Sequence, residues 1–126
     1  MQNVEEAILN SDAIELIVTD SWQIPADYKV YKKGYNMNLN PKSDFVCIYS
    51  EEEYKEFIER IKEVHIENWE MDYTSDEESK DKLTWKLIVY YGDGKKIIKR
   101  GENEYPETFD LLEEYMIEVT NPIEEA

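Results

Sequence analysis

The alternation of apolar and polar positions predicts a β-hairpin over Lys82–Arg100. Apolar side chains occupy every second position from Leu83 to Tyr91, and successive side chains of a strand point to opposite faces. The opposite face begins polar and ends with Ile88 and Tyr90, so we expect that face to be covered at one end. Gly92-Asp93-Gly94 supplies residues that a tight hairpin turn favours.

Two segments show the spacing of amphipathic helices. The first opens with the capping box Ser50-Glu51-Glu52-Glu53, and its apolar stripe runs from Tyr54 to Val64. The second follows Pro106, which suits a first helical turn. Its apolar stripe runs from Phe109 to Val119 and should lie on the hairpin.

Shorter apolar segments complete the expected sheet. Ala13–Thr19 is rich in β-branched residues and favours a strand, and Tyr28–Tyr31 favours a short one. Asp44–Tyr49 is apolar on both faces, which we interpret as a central strand. Ile66–Tyr73 suggests another strand, and the lysines of the returning hairpin strand, Lys95–Arg100, suit an exposed sheet edge.

These elements predict one α+β domain over residues 1–126. We expect an antiparallel or mixed sheet of about four to six strands with two main helices packed on it. Residues 1–43 form the irregular N-terminal portion of this prediction, apart from a short helix within Met1–Asn10 and the strands named above. Residues 44–120 hold the first helix, the hairpin and the second helix.

Four short patterns follow one another in the C-terminal third. They are Trp85-x-Leu87-x-Val89-x-Tyr91, Asp93-Gly94-Lys95, Gly101-x-Asn103-x-Tyr105-Pro106 and Phe109-x-x-Leu112. This arrangement resembles a motif of small bacterial and phage-encoded proteins of unassigned function. The resemblance implies an α+β fold and a bacterial or phage origin, and it implies no activity.

The chain is strongly acidic. Its 30 Asp and Glu residues outnumber 14 Lys and Arg residues and give a formal net charge of −16. Free DNA and anionic membrane surfaces repel such a protein, so we expect neither direct nucleic-acid binding nor membrane association. The sequence shows no secretory leader and no apolar run of membrane-spanning length, which favours a cytoplasmic location.

Residues that commonly carry chemistry are sparse. Cys47 is the single cysteine and His65 the single histidine, so multi-cysteine zinc sites and His-His metal motifs are excluded. We interpret Cys47 as a buried side chain and His65 as a helix-end or loop residue. The segment from Asp72 resembles a calcium loop, but Glu77 stands where that loop requires glycine. We therefore expect no enzymatic activity, cofactor or metal.

The favoured hypothesis is a non-enzymatic acidic protein-interaction module. Its partner would be a basic protein, such as a nuclease or a DNA-binding protein, because opposite charges accelerate association. The chain would inhibit this partner as an immunity protein does, or as a phage anti-defence protein that mimics DNA. Two acidic patches are the expected contact sites: Asp72, Asp76, Glu77, Glu78 and Asp81 in the first, and Glu113, Glu114 and Glu118 in the second.

Two alternatives stay open. The first is a small-ligand-binding protein or an enzyme, with a pocket lined by Trp22, Tyr28, Tyr31 and Tyr35. The second is an acidic surface that keeps the protein soluble and has no specific partner. The pattern leaves the strand order, the oligomeric state and the identity of the partner or ligand open.

Overall fold

A computed structural model describes residues 4–19, 25–35, 45–74, 84–92, 95–102 and 104–120. Within these residues the chain forms three α-helices and a six-stranded sheet. The helices are α1 (Val4–Leu9), α2 (Glu51–Ile61) and α3 (Phe109–Thr120). The strands are β1 (Ser11–Thr19), β2 (Pro25–Lys32), β3 (Phe45–Tyr49), β4 (Asp72–Thr74), β5 (Thr84–Tyr91) and β6 (Lys95–Glu102). Short 3-10 turns cover Lys62–Val64 and Ile66–Asn68.

The sheet is mixed, in the order β3-β2-β1-β5-β6-β4. Its four interior strands pair antiparallel, whereas the outer strands β3 and β4 run parallel to their neighbours β2 and β6. This architecture confirms the α+β class with a mixed sheet. The N-terminal portion is more regular than the sequence suggested, because it supplies the two interior strands β1 and β2 as well as α1.

Each face of the sheet buries different residues. Ile14 and Leu16 of β1 are fully buried in the main core, which lies between the sheet and the helices. Ala13 and Glu15 point to the other face and are also buried. A smaller apolar cluster on this second face joins Ala13 with Ile88 and Tyr90. The second face is therefore a partly buried surface rather than a fully solvated one.

The hairpin prediction is confirmed, since β5 and β6 pair antiparallel from Thr84 opposite Glu102 to Tyr91 opposite Lys95. The main-core face of β5 buries Trp85, Leu87 and Val89. On the second face Lys86 is exposed, whereas Ile88 and Tyr90 are buried, so this face is covered at one end as expected.

The first predicted helix is also confirmed. The Ser50 hydroxyl accepts a hydrogen bond from the Glu53 amide at 3.2 Å, and the Ser50 amide donates to Glu53 Oε1 at 3.0 Å. These reciprocal bonds are the predicted capping box, which fixes the start of α2. The apolar stripe lies in the main core as predicted and comprises Tyr54, Phe57, Ile58, Ile61 and Val64.

Strand β3 lies at the edge of the sheet, and our prediction of a central strand is wrong. It pairs with β2 and forms one end of the strand order. Cys47 and Tyr49 pack against the main core. Val46 and Ile48 point the opposite way and are 41% and 55% exposed. An apolar pattern on both faces therefore does not distinguish a central strand from an edge strand that leaves the side chains of one face exposed.

The prediction for the returning hairpin strand holds only in part. Lys95 and Lys96 of β6 are exposed, and β4 pairs only with Arg100–Glu102. Lys99 is buried instead, and its amino group donates to the Trp69 carbonyl. Burial lowers the pKa of Lys99. The segment predicted as a strand over Ile66–Tyr73 instead forms a 3-10 turn and then β4, which pairs with the last residues of β6. His65 has a left-handed backbone conformation, with φ 55°, immediately before that turn.

Helix α3 lies mainly over β2 and β3, not over the hairpin as predicted. Its first residue, Phe109, reaches the hairpin, with its ring centroid 5.0 Å from that of Trp85. Trp69 and Tyr73 also flank the Trp85 ring, with centroids 5.6 and 6.0 Å away. These aromatic rings cover the start of β5 on the main-core face, whereas the rest of α3 packs over β2 and β3.

Candidate functional site

Helix α3 presents a one-sided acidic surface. It carries Asp110, Glu113, Glu114 and Glu118 and contains no lysine or arginine. Glu114 and Glu118 are exposed, whereas Glu113 is half-buried. Burial, and then the neighbouring charge of Asp110, raise the pKa of Glu113. The predicted second acidic patch is therefore assembled on one helix, where its carboxylates create a negative potential.

Helix α2 extends this surface. Arg60 joins the two helices, because its Nη2 lies 3.3 Å from Glu118 Oε2 and its guanidinium carbon lies 4.5 Å from the centre of the Tyr115 ring. Helix α2 carries five glutamates against Lys55 and Arg60. We call the carboxylates of both helices the helical acidic surface: Glu51, Glu52, Glu53, Glu56, Glu59, Asp110, Glu113, Glu114 and Glu118.

The first predicted patch is not joined to the second by the described residues. Asp72 lies on β4 at one end of the strand order, whereas α3 lies over strands at the other end. The Asp72 carboxylate is exposed, and its Oδ2 lies 3.3 Å from Arg100 Nε. The remaining members of this patch, Asp76, Glu77, Glu78 and Asp81, lie outside the described residues.

A groove between α2 and β3 was not predicted from the sequence. It has a volume of about 240 Å³ and is lined by Tyr49, Glu53, Glu56, Phe57 and Arg60. The Tyr49 and Phe57 rings are 6.0 Å apart. Burial, with smaller contributions that include Cys47 and Glu53, raises the pKa of Tyr49 to about 12. The available signal was the spacing of Glu53 and Glu56, which places both carboxylates on the side of α2 next to β3.

The second face of the sheet holds a buried polar cluster that the sequence pattern did not predict. Glu15 and Lys29 are each 2% exposed and lie directly opposite one another on β1 and β2. The Tyr90 hydroxyl donates to Glu15 Oε1 at 2.6 Å, and Lys29 Nζ lies 3.9 Å from Asp27 Oδ2. Burial, and then the hydrogen bond to Glu15, raise the pKa of Tyr90. The cluster therefore places charged groups of β1 and β2 beside a phenol of β5.

We expect the substitution Tyr90→Phe to lower the free energy of unfolding by about 1–3 kcal/mol, because it leaves buried Glu15 without its hydroxyl donor. Tyr35→Phe is the matched control: the Tyr35 ring packs 6.2 Å from the Tyr90 ring, and its buried hydroxyl has no hydrogen-bond partner among the described residues. Urea unfolding should show a near-neutral effect for this control. Equal losses in both variants would contradict the assigned role of the Glu15 hydrogen bond.

The aromatic residues proposed to line a ligand pocket are divided between the two faces. Tyr28 packs against the main core, whereas Tyr31 and Tyr35 pack against the smaller cluster on the second face. Trp22 lies outside the described residues. The three described tyrosines therefore do not line one common pocket. A larger groove of about 460 Å³ on the second face is bordered instead by Ile17, Thr19, Asp72, Thr84, Trp85, Lys86, Arg100, Gly101 and Glu102.

The surroundings of the single cysteine and the single histidine indicate structural roles for both side chains. Cys47 is half-buried, and burial raises the pKa of its thiol, which disfavours the nucleophilic thiolate. His65 is exposed, with Nδ1 3.0 Å from Glu67 Oε2. In the described ranges, no three His, Cys, Asp or Glu residues converge as a metal site. None of the helices in these ranges is long and apolar enough to cross a membrane.

No protein-family model, curated protein or solved structure matches the chain. The resemblance of the C-terminal third to small bacterial and phage-encoded proteins stays a prediction. Several residues that carry it have defined structural roles here: Trp85 Nε1 donates to the Glu104 carbonyl at 2.8 Å, and Gly101 lies against the Trp85 ring. Phe109 packs on that ring from α3. These roles explain the pattern through packing and assign it no chemistry.

Proposed function

We propose that this protein is a non-enzymatic interaction module whose helical acidic surface binds a basic protein. The observation that carries the proposal is α3, whose four carboxylates are not balanced by a basic residue within the helix. Arg60 links this helix to glutamate-rich α2, so the negative charge spreads over two elements of one layer. A surface of this kind attracts a basic partner rapidly and makes binding sensitive to salt.

The acidic surface also contains an apolar contact point. Ile117 is 38% exposed, and Glu113 and Glu114 precede it by one helical turn. An exposed apolar side chain surrounded by charged groups is typical of an interface with an apolar centre and a polar rim. A partner lysine or arginine near half-buried Glu113 would also stabilise its carboxylate and lower its raised pKa.

The partner class that fits best is a nuclease or another DNA-binding protein. Such proteins hold DNA phosphates with lysine and arginine, and the carboxylates of α2 and α3 would occupy the same basic groups. The chain would then act as an inhibitor, either as an immunity-type protein or as a DNA mimic encoded by a phage. The cytoplasmic location and the bacterial or phage origin expected from the sequence agree with this proposal.

The test is affinity capture from a bacterial lysate at low salt, followed by elution with a salt gradient. We expect one stoichiometric basic protein, released as the salt concentration rises. The double variant Glu114→Gln/Glu118→Gln should bind this purified protein about tenfold more weakly at low salt, which corresponds to roughly 1.4 kcal/mol. Isothermal calorimetry against salt concentration would measure the difference.

The matched control is Glu5→Gln/Glu6→Gln, which removes the same charge from exposed positions on α1. Its affinity should stay close to that of the unchanged protein. Equal weakening by both double variants would show a dependence on net charge alone and would overturn the assignment of the surface. Capture of only a mixed population of basic proteins would favour an acidic surface that serves solubility.

A further inference from the structure

The outer edge of β3 carries backbone hydrogen-bonding groups that no described strand occupies. The Lys33 amide donates to the Tyr49 carbonyl at 2.7 Å, so the backbone groups of Tyr49 face the β2 side. Backbone groups alternate in direction along a strand, and those of Val46 and Ile48 therefore face outward. Because backbone amides and carbonyls require partners when they leave water, this edge can accept another strand.

The side chains of β3 do not protect this edge. The strand sequence, Phe-Val-Cys-Ile-Tyr, contains no charged residue and no proline, which are the usual obstacles to pairing at an edge. Val46 and Ile48 are also among the most exposed large apolar side chains of the described residues. The two residues whose backbone groups face outward therefore also offer an apolar surface on the second face of the sheet.

The helical side of the same edge is acidic and aromatic. The groove between α2 and β3 brings Glu53 and Glu56 beside the rings of Tyr49 and Phe57. Arg60 also lines the groove, but its guanidinium is held by Glu118 and the Tyr115 ring. Because Tyr49 of β3 lines the groove and β3 is the last strand on this side, the groove lies beside this edge of the sheet. Two carboxylates and two aromatic rings form a suitable environment for a lysine or arginine side chain.

We propose that the free edge of β3 docks an extended segment of the basic partner, in which apolar residues alternate with lysine or arginine. The added strand would place its apolar side chains on Val46 and Ile48 and its basic side chains in the groove, because successive side chains point to opposite faces. This inference rests on the proposed function, since it requires a basic partner, and it assigns that partner a specific docking edge.

Charge complementarity selects this occupant over a second copy of the chain. Each copy carries a formal net charge of −16, so pairing two copies would bring like charges together. The uncharged strand of a second β3 would also supply no cation for Glu53 and Glu56. A basic alternating segment satisfies the backbone edge, the apolar side chains and the carboxylates together.

The test uses the full chain and a synthetic peptide of eight residues that alternates valine with lysine and has blocked ends. Nuclear magnetic resonance of the ¹⁵N-labelled protein would follow amide exchange during a titration with the monomeric peptide. We expect the Val46 and Ile48 amides to exchange at least about tenfold more slowly in the complex, because each gains a hydrogen-bond partner. A peptide that alternates valine with glutamate should not bind.

Three variants separate the parts of the proposed site. Ile48→Lys should weaken peptide binding at least about tenfold, whereas Met71→Lys, at a 68% exposed position near the opposite edge, should not. Glu53→Gln/Glu56→Gln should also weaken binding about tenfold, and glutamine at position 53 retains the capping box. Circular dichroism would establish that each variant is folded.

The outcomes distinguish this inference from the proposed function. Failure of the valine-lysine peptide to bind, or binding without slower exchange at Val46 and Ile48, would overturn the docking edge. If a basic protein captured from lysate still depends on Glu114 and Glu118, the proposed function stands without that edge. Equal binding of the glutamate peptide would overturn the electrostatic argument. Protection that rises with protein concentration in the absence of peptide would assign the edge to a second copy.

Discussion

Replacing Gly101 with alanine is expected to lower the free energy of unfolding by about 3 kcal/mol. An alanine Cβ at this position would overlap the Trp85 indole and would lie 2.7 Å from the Glu104 carbonyl oxygen. The indole has little room to move, because Trp85 is 2% exposed and donates its Nε1 hydrogen bond to the same carbonyl. Trp69 and Phe109 flank the ring at 5.6 and 5.0 Å.

Urea unfolding of a double-mutant cycle would isolate this steric cause. The smaller ring of Trp85→Phe removes the atoms that the new Cβ overlaps, so Gly101→Ala should cost at least about 1 kcal/mol less in that background. Gly92→Ala provides a comparison without steric overlap. Its Cβ would meet Lys95 Cδ at an ordinary 3.8 Å, and any cost there would come from the backbone, which has φ 61°. An equal cost of Gly101→Ala in both Trp85 backgrounds would contradict the overlap.

The elements that the sequence predicted well are those with local signals. The capping box at Ser50 marks the start of α2 through contacts three residues apart, and Gly92, at φ 61°, follows β5 where the sequence predicted a turn before β6. The apolar stripe of α3 is likewise a property of one helix. Such features require little knowledge of the rest of the chain, because their hydrogen bonds and spacings lie within a few residues.

The placement of elements depended on contacts between distant segments. The apolar pattern on both faces of β3 does not show whether a neighbouring strand lies on one side of it or on both, and the structure places β3 at an edge. The α3 stripe does not specify which half of the sheet it covers. Trp69 reaches Trp85 from a segment that the sequence predicted as a strand, and local spacing does not reveal this contact between residues of different elements.

The candidate site was predictable in part. Glu113, Glu114 and Glu118 were identified because they lie off the apolar stripe of a helix, and the structure places them together on α3. The contribution of α2 depended on the contact between Arg60 and Glu118, which are 58 positions apart in the sequence. The docking edge depended on the strand order. Neither the contact between Arg60 and Glu118 nor the strand order can be predicted from the spacing of neighbouring residues.

The buried polar cluster shows the same limit for charged residues. Glu15 and Lys29 are residue types that usually mark a solvated position. They are buried together because β1 and β2 align them in register and β5 brings the Tyr90 hydroxyl to Glu15. A sequence pattern records the polarity of each position, whereas the partners that make burial tolerable come from other strands.

Raising the pH above about 10 is expected to destabilise the protein strongly. Tyr54 and Tyr90 are 2% and 4% exposed, and burial raises the pKa of both phenols above the ordinary value of 10.0. The unfolded chain therefore releases these protons first. Their contribution is fully present below pH 10 and is lost as the pH rises, by up to about 1.4 kcal/mol per pH unit for each phenol that stays protonated in the folded protein.

Two protonated phenols at pH 12 would together cost up to roughly 5 kcal/mol, which is comparable to the whole stability of a marginal domain. Lys99 acts in the opposite direction, because burial lowers its pKa and the unfolded chain holds that proton longer. Urea unfolding from pH 8 to 12 should show a falling free energy whose slope becomes shallower in Tyr54→Phe and Tyr90→Phe. Phenylalanine has no proton to release. Identical slopes in the unchanged protein and in both variants would therefore show that other groups cause the alkaline sensitivity.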